Sequence, residues 1–195
     1  MGRAVIAAIV TAEVLFWVFL LGGLSLRYIV RARRASSGLL VAVPLVDLAL
    51  LVFVTIDIAG GADPSQPHAL AALYLGFTVA FGHSVVRWAD VRFRHRFAGG
   101  PAPTRPPKGS RAEARAVWVE WARTVLAAVI AAAGLLVMIM VDGGGTPSSI
   151  ETAAQHPYWA TMLLLCIVVV VWFLAGPASA GRGSELQHAS GSGRG

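Results

Sequence analysis

Five long apolar runs separated by short polar gaps organise this chain, at roughly 4–26, 39–59, 69–88, 117–141 and 159–175. Each approaches or exceeds the roughly 20 apolar residues a helix needs to cross about 30 Å of hydrocarbon. Backbone polar groups in lipid must be satisfied within the segment, which makes each run a helix. The expected fold is all-α, a polytopic transmembrane bundle of five spans. Helix-stop chemistry sits where it should, in Gly60-Gly61-Ala62-Asp63-Pro64 and in Asp142-Gly143-Gly144-Gly145-Thr146-Pro147. Trp88, Trp118, Trp121, Tyr158 and Trp159 fall near the expected water boundaries, as an aromatic belt requires.

Charge orients the bundle. The gap after the first run holds Arg27, Arg31, Arg33 and Arg34 with no acid. The gap after the third holds Arg87, Arg92, Arg94, Arg96, Arg105, Lys108, Arg111 and Arg115 against Asp90 and Glu113. Neither 60–68 nor 142–158 contains a Lys or Arg. The positive-inside rule therefore expects the N-terminus outside and the C-terminus in the cytoplasm, with Arg3 outvoted. The first run is too long for a signal peptide and its positive cluster follows it, so it is expected to stay as an anchor. One bundle over 1–177 is expected, with a basic cytoplasmic loop at about 89–116 and a disordered Gly/Ser/Arg tail at 178–195.

Composition excludes an ordinary soluble domain: 56% of the 195 residues are hydrophobic and 13% charged, and the mean hydropathy is +0.69. The net charge of +6 reads as topology. In Arg92-Phe93-Arg94-His95-Arg96-Phe97 cations alternate with aromatics beside a span. Contact of Arg92, Arg94 and Arg96 with anionic headgroups, at about 1 kcal/mol per basic residue, is the expected use, and no nucleic-acid partner is assigned. The single cysteine, Cys166, forms no internal disulfide and belongs to no Cys/His metal spacing. There is no HExxH, GxSxG or P-loop, so no enzyme chemistry is announced. Only His83 lies at membrane depth, which leaves a bis-histidine haem without its second ligand; no cofactor is expected.

Candidate chemistry is confined to ionisable residues inside the runs. Glu13 and Asp47 fall near the middle of the first two. An acid at helix centre costs about 2.5–3.5 kcal/mol on insertion scales, so both must face protein or water. His83 and Arg87 step toward the cytoplasmic end of the third run, and Glu120 and Arg123 begin the fourth. Together Glu13, Asp47, His83, Arg87, Glu120 and Arg123 are expected to line a polar seam between spans one to four. Above Arg123, Ala127, Ala131 and Gly134 form a small-residue face suited to close packing. Pro44 kinks the second helix beside Asp47. The fifth run carries no charge and is expected at the periphery. Two readings stand. In one, the seam handles protons, cations or a small polar solute. In the other, its groups pair to hold the bundle in register, and the protein is a non-catalytic scaffold or accessory subunit with a membrane-protein partner or a second copy of itself. Membrane hydrogen bonds average about 0.6 kcal/mol, less than the insertion cost of an acid, which weighs against a purely stabilising role.

Several stretches also carry a resemblance: 13–23 (EVLFWVFLLGG) leading into Arg27-Tyr28, then 44–51 (PLVDLALL), Ala80-Phe81-Gly82-His83, Arg87-Trp88-Ala89-Asp90 and 96–101 (RFAGGP). This combination resembles small, functionally uncharacterised five-span integral membrane proteins of Gram-positive bacteria. The resemblance covers spans one to three and the loop that follows. It implies a helical plasma-membrane protein and assigns no activity or site residue.

Overall fold

The computed structural model describes residues 2–28, 33–97, 99–102, 104, 106–107 and 109–178, and the description below is confined to them. These residues form helices and no strand. The helices are α1 (Gly2–Tyr28), α2 (Arg33–Ala59), α3 (Gln66–Phe97), α4 (Arg111–Asp142), α5 (Ile150–Gln155) and α6 (Pro157–Ala175). Four of them, α2, α3, α4 and α6, contain stretches long and apolar enough to cross a membrane. The apolar part of α1, Glu13–Gly23, is shorter. The expected tail lies outside the described residues, apart from Ala178.

Helix ends follow the expected stops. Gly61 takes φ 88°, and Ala62 N–H and Gly61 N–H donate to the carbonyls of Asp57 and Ile58 at 3.2 and 2.9 Å. Gly143, at φ 73°, closes α4 in the same way, with Gly144 N–H bonded to Ile139 O at 3.1 Å. Both are Schellman endings, which a left-handed glycine makes cheap. The helices around the basic loop are longer than hydropathy suggests. Most of the segment expected as a loop at 89–116 is helical, leaving only the residues between Phe97 and Arg111 as a connection. A membrane boundary ends an apolar run without ending a helix, and Ser110 starts α4 as a true cap. Its hydroxyl accepts from Glu113 N–H at 3.1 Å while the Glu113 carboxylate accepts from Gly109 N–H.

Packing is built on small residues. A Cβ at Gly76 would collide with the Ala127 carbonyl oxygen and press on the Ala131 methyl at 3.1 Å. Gly134 faces the Ala72 methyl and the Leu51 side chain in the same manner. The expected face Ala127–Ala131–Gly134 thus receives α3 directly and α2 through Leu51. The close-packed core contains Leu50, Val54 and Ile58 from α2, Ala69, Ala71 and Ala72 from α3, Leu135, Met138 and Ile139 from α4, and Tyr158 from α6. All lie toward the end of the bundle that carries the α2–α3 and α4–α5 connections. α6 rests on α4, where Trp121 Nε1 donates to Val169 O at 3.3 Å and Trp121 meets Phe173. Its other face, including Leu164, Ile167, Val170 and Leu174, is exposed, as a peripheral helix requires.

At that same end, residues expected near the water boundary prove to be covered. His68 is 3% exposed, and Tyr158 is fully buried against it. The Ser65 and Tyr158 hydroxyls stand 3.1 and 3.3 Å from His68 Nδ1, and Asp57 Oδ2 stands 3.6 Å from Nε2. Asp57 Oδ2 is buried without a hydrogen bond, so the imidazole edge is its compensation. This group ties the ends of α2, α3 and α6 together.

Four stability outcomes follow from this packing, all read as the melting temperature in detergent. Gly76→Val should destabilise by about 1–3 kcal/mol through overpacking. Gly82→Ala, whose new methyl meets nothing within 4 Å, should leave the value unchanged or raise it. His68→Leu strands a buried carboxylate oxygen and should remove about 1–3 kcal/mol. Tyr158→Phe should remove less, because Ser65 still serves Nδ1.

Candidate functional site

The buried acid at the centre of α2 organises the site. Asp47 is 3% exposed, and its Oδ2 lies 2.7 Å from Thr78 Oγ1 on α3. The Thr78 hydroxyl also lies 2.9 Å from the Tyr74 carbonyl one turn back on its own helix. A hydroxyl has one proton and two lone pairs, so both distances cannot be donor bonds from Thr78 at once. With Asp47 ionised, Thr78 donates to the carboxylate. With Asp47 protonated, the carboxylic acid donates to Thr78 Oγ1, and Thr78 turns its own proton to Tyr74 O. Asp47 is therefore hydrogen-bonded in either protonation state without any side chain moving. Pro44, which has no N–H to offer the carbonyl one turn earlier, sits one turn from Asp47 on the same helix.

Glu13 reaches the same place from α1. A cavity of about 200 Å³ is lined by Glu13, Phe16 and Trp17 of α1, Asp47 of α2, and Tyr74, Phe77 and Thr78 of α3. Phe16, Phe77 and Thr78 also line a second, larger cavity of about 830 Å³. That cavity extends toward the end carrying the α1–α2 and α3–α4 connections, and His83, Arg87 and Asp90 stand on its wall. Two acids near mid-helix thus open onto one space, and an imidazole and a guanidinium onto the next. Among the described residues, no ion pair joins Glu13, Asp47, His83 or Arg87 to one another. Nor do three His, Cys, Asp or Glu side chains converge there as a metal would require.

The remaining residues of the expected seam lie elsewhere. Arg123 of α4 donates to Ser84 Oγ at 2.7 Å and lines neither cavity. Glu120 is exposed and also lines neither. Arg92, Arg94 and Arg96 are exposed on the last turns of α3, with Arg92 over the Trp88 ring at 4.4 Å and Arg94 Nε donating to Asp90 O at 3.4 Å. Sequence reasoning missed Thr78 and Ser84, two hydroxyls that receive ionisable groups from neighbouring helices. Thr78 had a signal: α2 and α3 are antiparallel about the turn at Ala62-Asp63, which sets Asp47 and Thr78 at equal depth.

No described protein family matches this chain, and no solved structure does. A curated relative, the uncharacterised membrane protein YmcC of Bacillus subtilis (strain 168), is 34% identical over 87 residues, which is 45% of this chain and 47% of that protein. The chain thus spans less than half the length of the relative it matches. With four helices apolar and long enough to span, that likeness makes this a helical membrane protein, similar over part of its length to one from a Gram-positive bacterium.

Proposed function

We propose that this protein is a five-span bacterial plasma-membrane protein, N-terminus outside, in which Glu13 and Asp47 form a site that handles protons, cations or a small polar solute. The observation that carries the reading is Asp47 itself: buried, open to a cavity it shares with Glu13, and hydrogen-bonded through Thr78 whether ionised or protonated. A carboxylate kept for register is expected against a base or an amide. This one is held by a hydroxyl that accepts both proton arrangements, which suits a group that gains and loses a proton or a cation. His83 and Arg87 stand along the adjoining cavity, on the side of the site that faces the cytoplasm in this topology.

The topology rests on three supports. α1 has 27 residues, or about 40 Å at 1.5 Å per residue, enough to cross about 30 Å of hydrocarbon. The Lys and Arg residues of the inter-helix gaps fall on the side of the α1–α2 and α3–α4 connections. The close-packed core lies at the opposite end, which suits a protein closed to the outside and open to the cytoplasm.

Liposomes containing the parent or the Glu13→Gln, Asp47→Asn and Thr78→Val variants, under an imposed proton gradient, test this reading. The two acid variants should reduce flux to the level of protein-free liposomes, and their melting temperatures should hold or rise, because an acid kept at mid-helix for activity works against the fold. Thr78→Val should fall between parent and acid variants. A sharp drop in melting temperature with flux unchanged would mark a structural pair, as in a membrane scaffold.

A further inference from the structure

The larger cavity does not need the acids of the smaller one to be explained. Its chemistry is divided along its length. Toward the middle of the bundle the wall is Phe16, Pro44, Phe77 and Val79, with only the Thr78 hydroxyl, already engaged with Asp47, at that end. The ionisable groups, His83, Arg87 and Asp90, are gathered at the other end, one turn apart on α3. Phe77, Val79 and Val85 present exposed apolar surface to this space. From Thr78 to Asp90 is about 18 Å along the helix, close to the roughly 15 Å depth of one leaflet. The volume of about 830 Å³ falls within the size range of ligand sites. α1 rests mainly on α2 and only lightly on α3, so the α1–α3 side is the least sealed route into this space.

We infer that this cavity binds one anionic phospholipid of the adjacent leaflet, with an acyl chain between α1, α2 and α3 and its phosphate at Arg87 and His83. Charge complementarity selects the headgroup. Arg87 is exposed at the cavity mouth and offers a planar fork of donors suited to a phosphate. Arg123, another cation on this side of the bundle, is committed to Ser84. Asp90 has a contact of its own. A zwitterionic lipid would bring an ammonium group to the same guanidinium and lose that advantage. The site differs from headgroup attraction at Arg92, Arg94 and Arg96, because here the apolar chain is held inside the bundle.

The full chain, reconstituted in nanodiscs of mixed phosphatidylglycerol and phosphatidylcholine and then released into mild detergent, is read by native mass spectrometry for retained lipid. The parent should keep one phosphatidylglycerol in preference to phosphatidylcholine. Arg87→Gln should lower that retention about tenfold or more, the loss expected for a charge-assisted contact. Gly82→Phe should lower it comparably by filling the cavity without changing charge, since a Cβ at Gly82 meets nothing within 4 Å. Val85→Phe serves the same purpose should Gly82→Phe fail to fold. Arg94→Gln should retain as much as the parent. The inference is overturned if the parent retains neither lipid or both equally, or if a folded cavity-filling variant retains as much as the parent. It is also overturned if inorganic phosphate displaces the lipid, which would make the site one for free anions. Retention is read without flux, so its failure leaves the Glu13–Asp47 reading standing.

Discussion

The contact between α3 and α4 at Gly76 and Ala127 is the constraint on which the other helices depend. Lipid is as apolar as leucine, so no hydrophobic force draws membrane helices together, and close backbone approach has to supply the attraction. Gly76 and Ala72 on one side, and Ala127, Ala131 and Gly134 on the other, allow that approach. Once α3 and α4 meet, Leu51 seats α2 against Gly134, and Trp121 and Phe173 seat α6 against α4. α1 takes its place on α2 with little contact to α3, and the cleft this leaves becomes the two cavities.

That arrangement gives the bundle unlike ends. One is filled by Val54, Leu135, Met138 and Tyr158, and pinned by His68 between Asp57, Ser65 and Tyr158. The other is hollow and carries an imidazole and a guanidinium. Asp47 sits where the two regimes meet, on the helix that contributes to both. An acid there costs a few kcal/mol to insert, more than a single membrane hydrogen bond returns. Its link to Thr78 offsets part of that cost in either protonation state, which is why we read it as a working group and not a strut.

Much of this architecture is legible in the sequence, and the reasons for the rest are physical. Apolar runs located four helices long and apolar enough to span, and glycine-rich stops located the ends of α2 and α4, because a Schellman ending needs a residue that tolerates positive φ. Hydropathy could not see that α3 and α4 continue as helices past the apolar boundary, although Ser110-Arg111-Ala112-Glu113 spells a capping box. Depth along a helix also reads well from residue number, and it placed Glu13, Asp47 and His83 in order. Which neighbour a helix face meets at each depth does not. Gly76, His83 and Arg87 share a stripe by spacing, yet Gly76 packs on α4 while His83 and Arg87 line the cavity on the side of α1 and α2. For the same reason Arg123 turned to Ser84 and Glu120 to the surface. The Asp57–His68 contact was hidden because it needs Tyr158, distant in sequence, to cover it.

The most direct test of this account is whether water reaches the position of Asp47. With Cys166, which is exposed on α6, replaced by alanine, Asp47→Cys is offered to a small water-soluble methanethiosulfonate in intact membranes. Thiolates form and react only where water enters, so a cavity at this position predicts steady modification. A thiol that stays unmodified while remaining reactive after unfolding in denaturant would contradict the account, and Asp47 would then be a sealed structural acid.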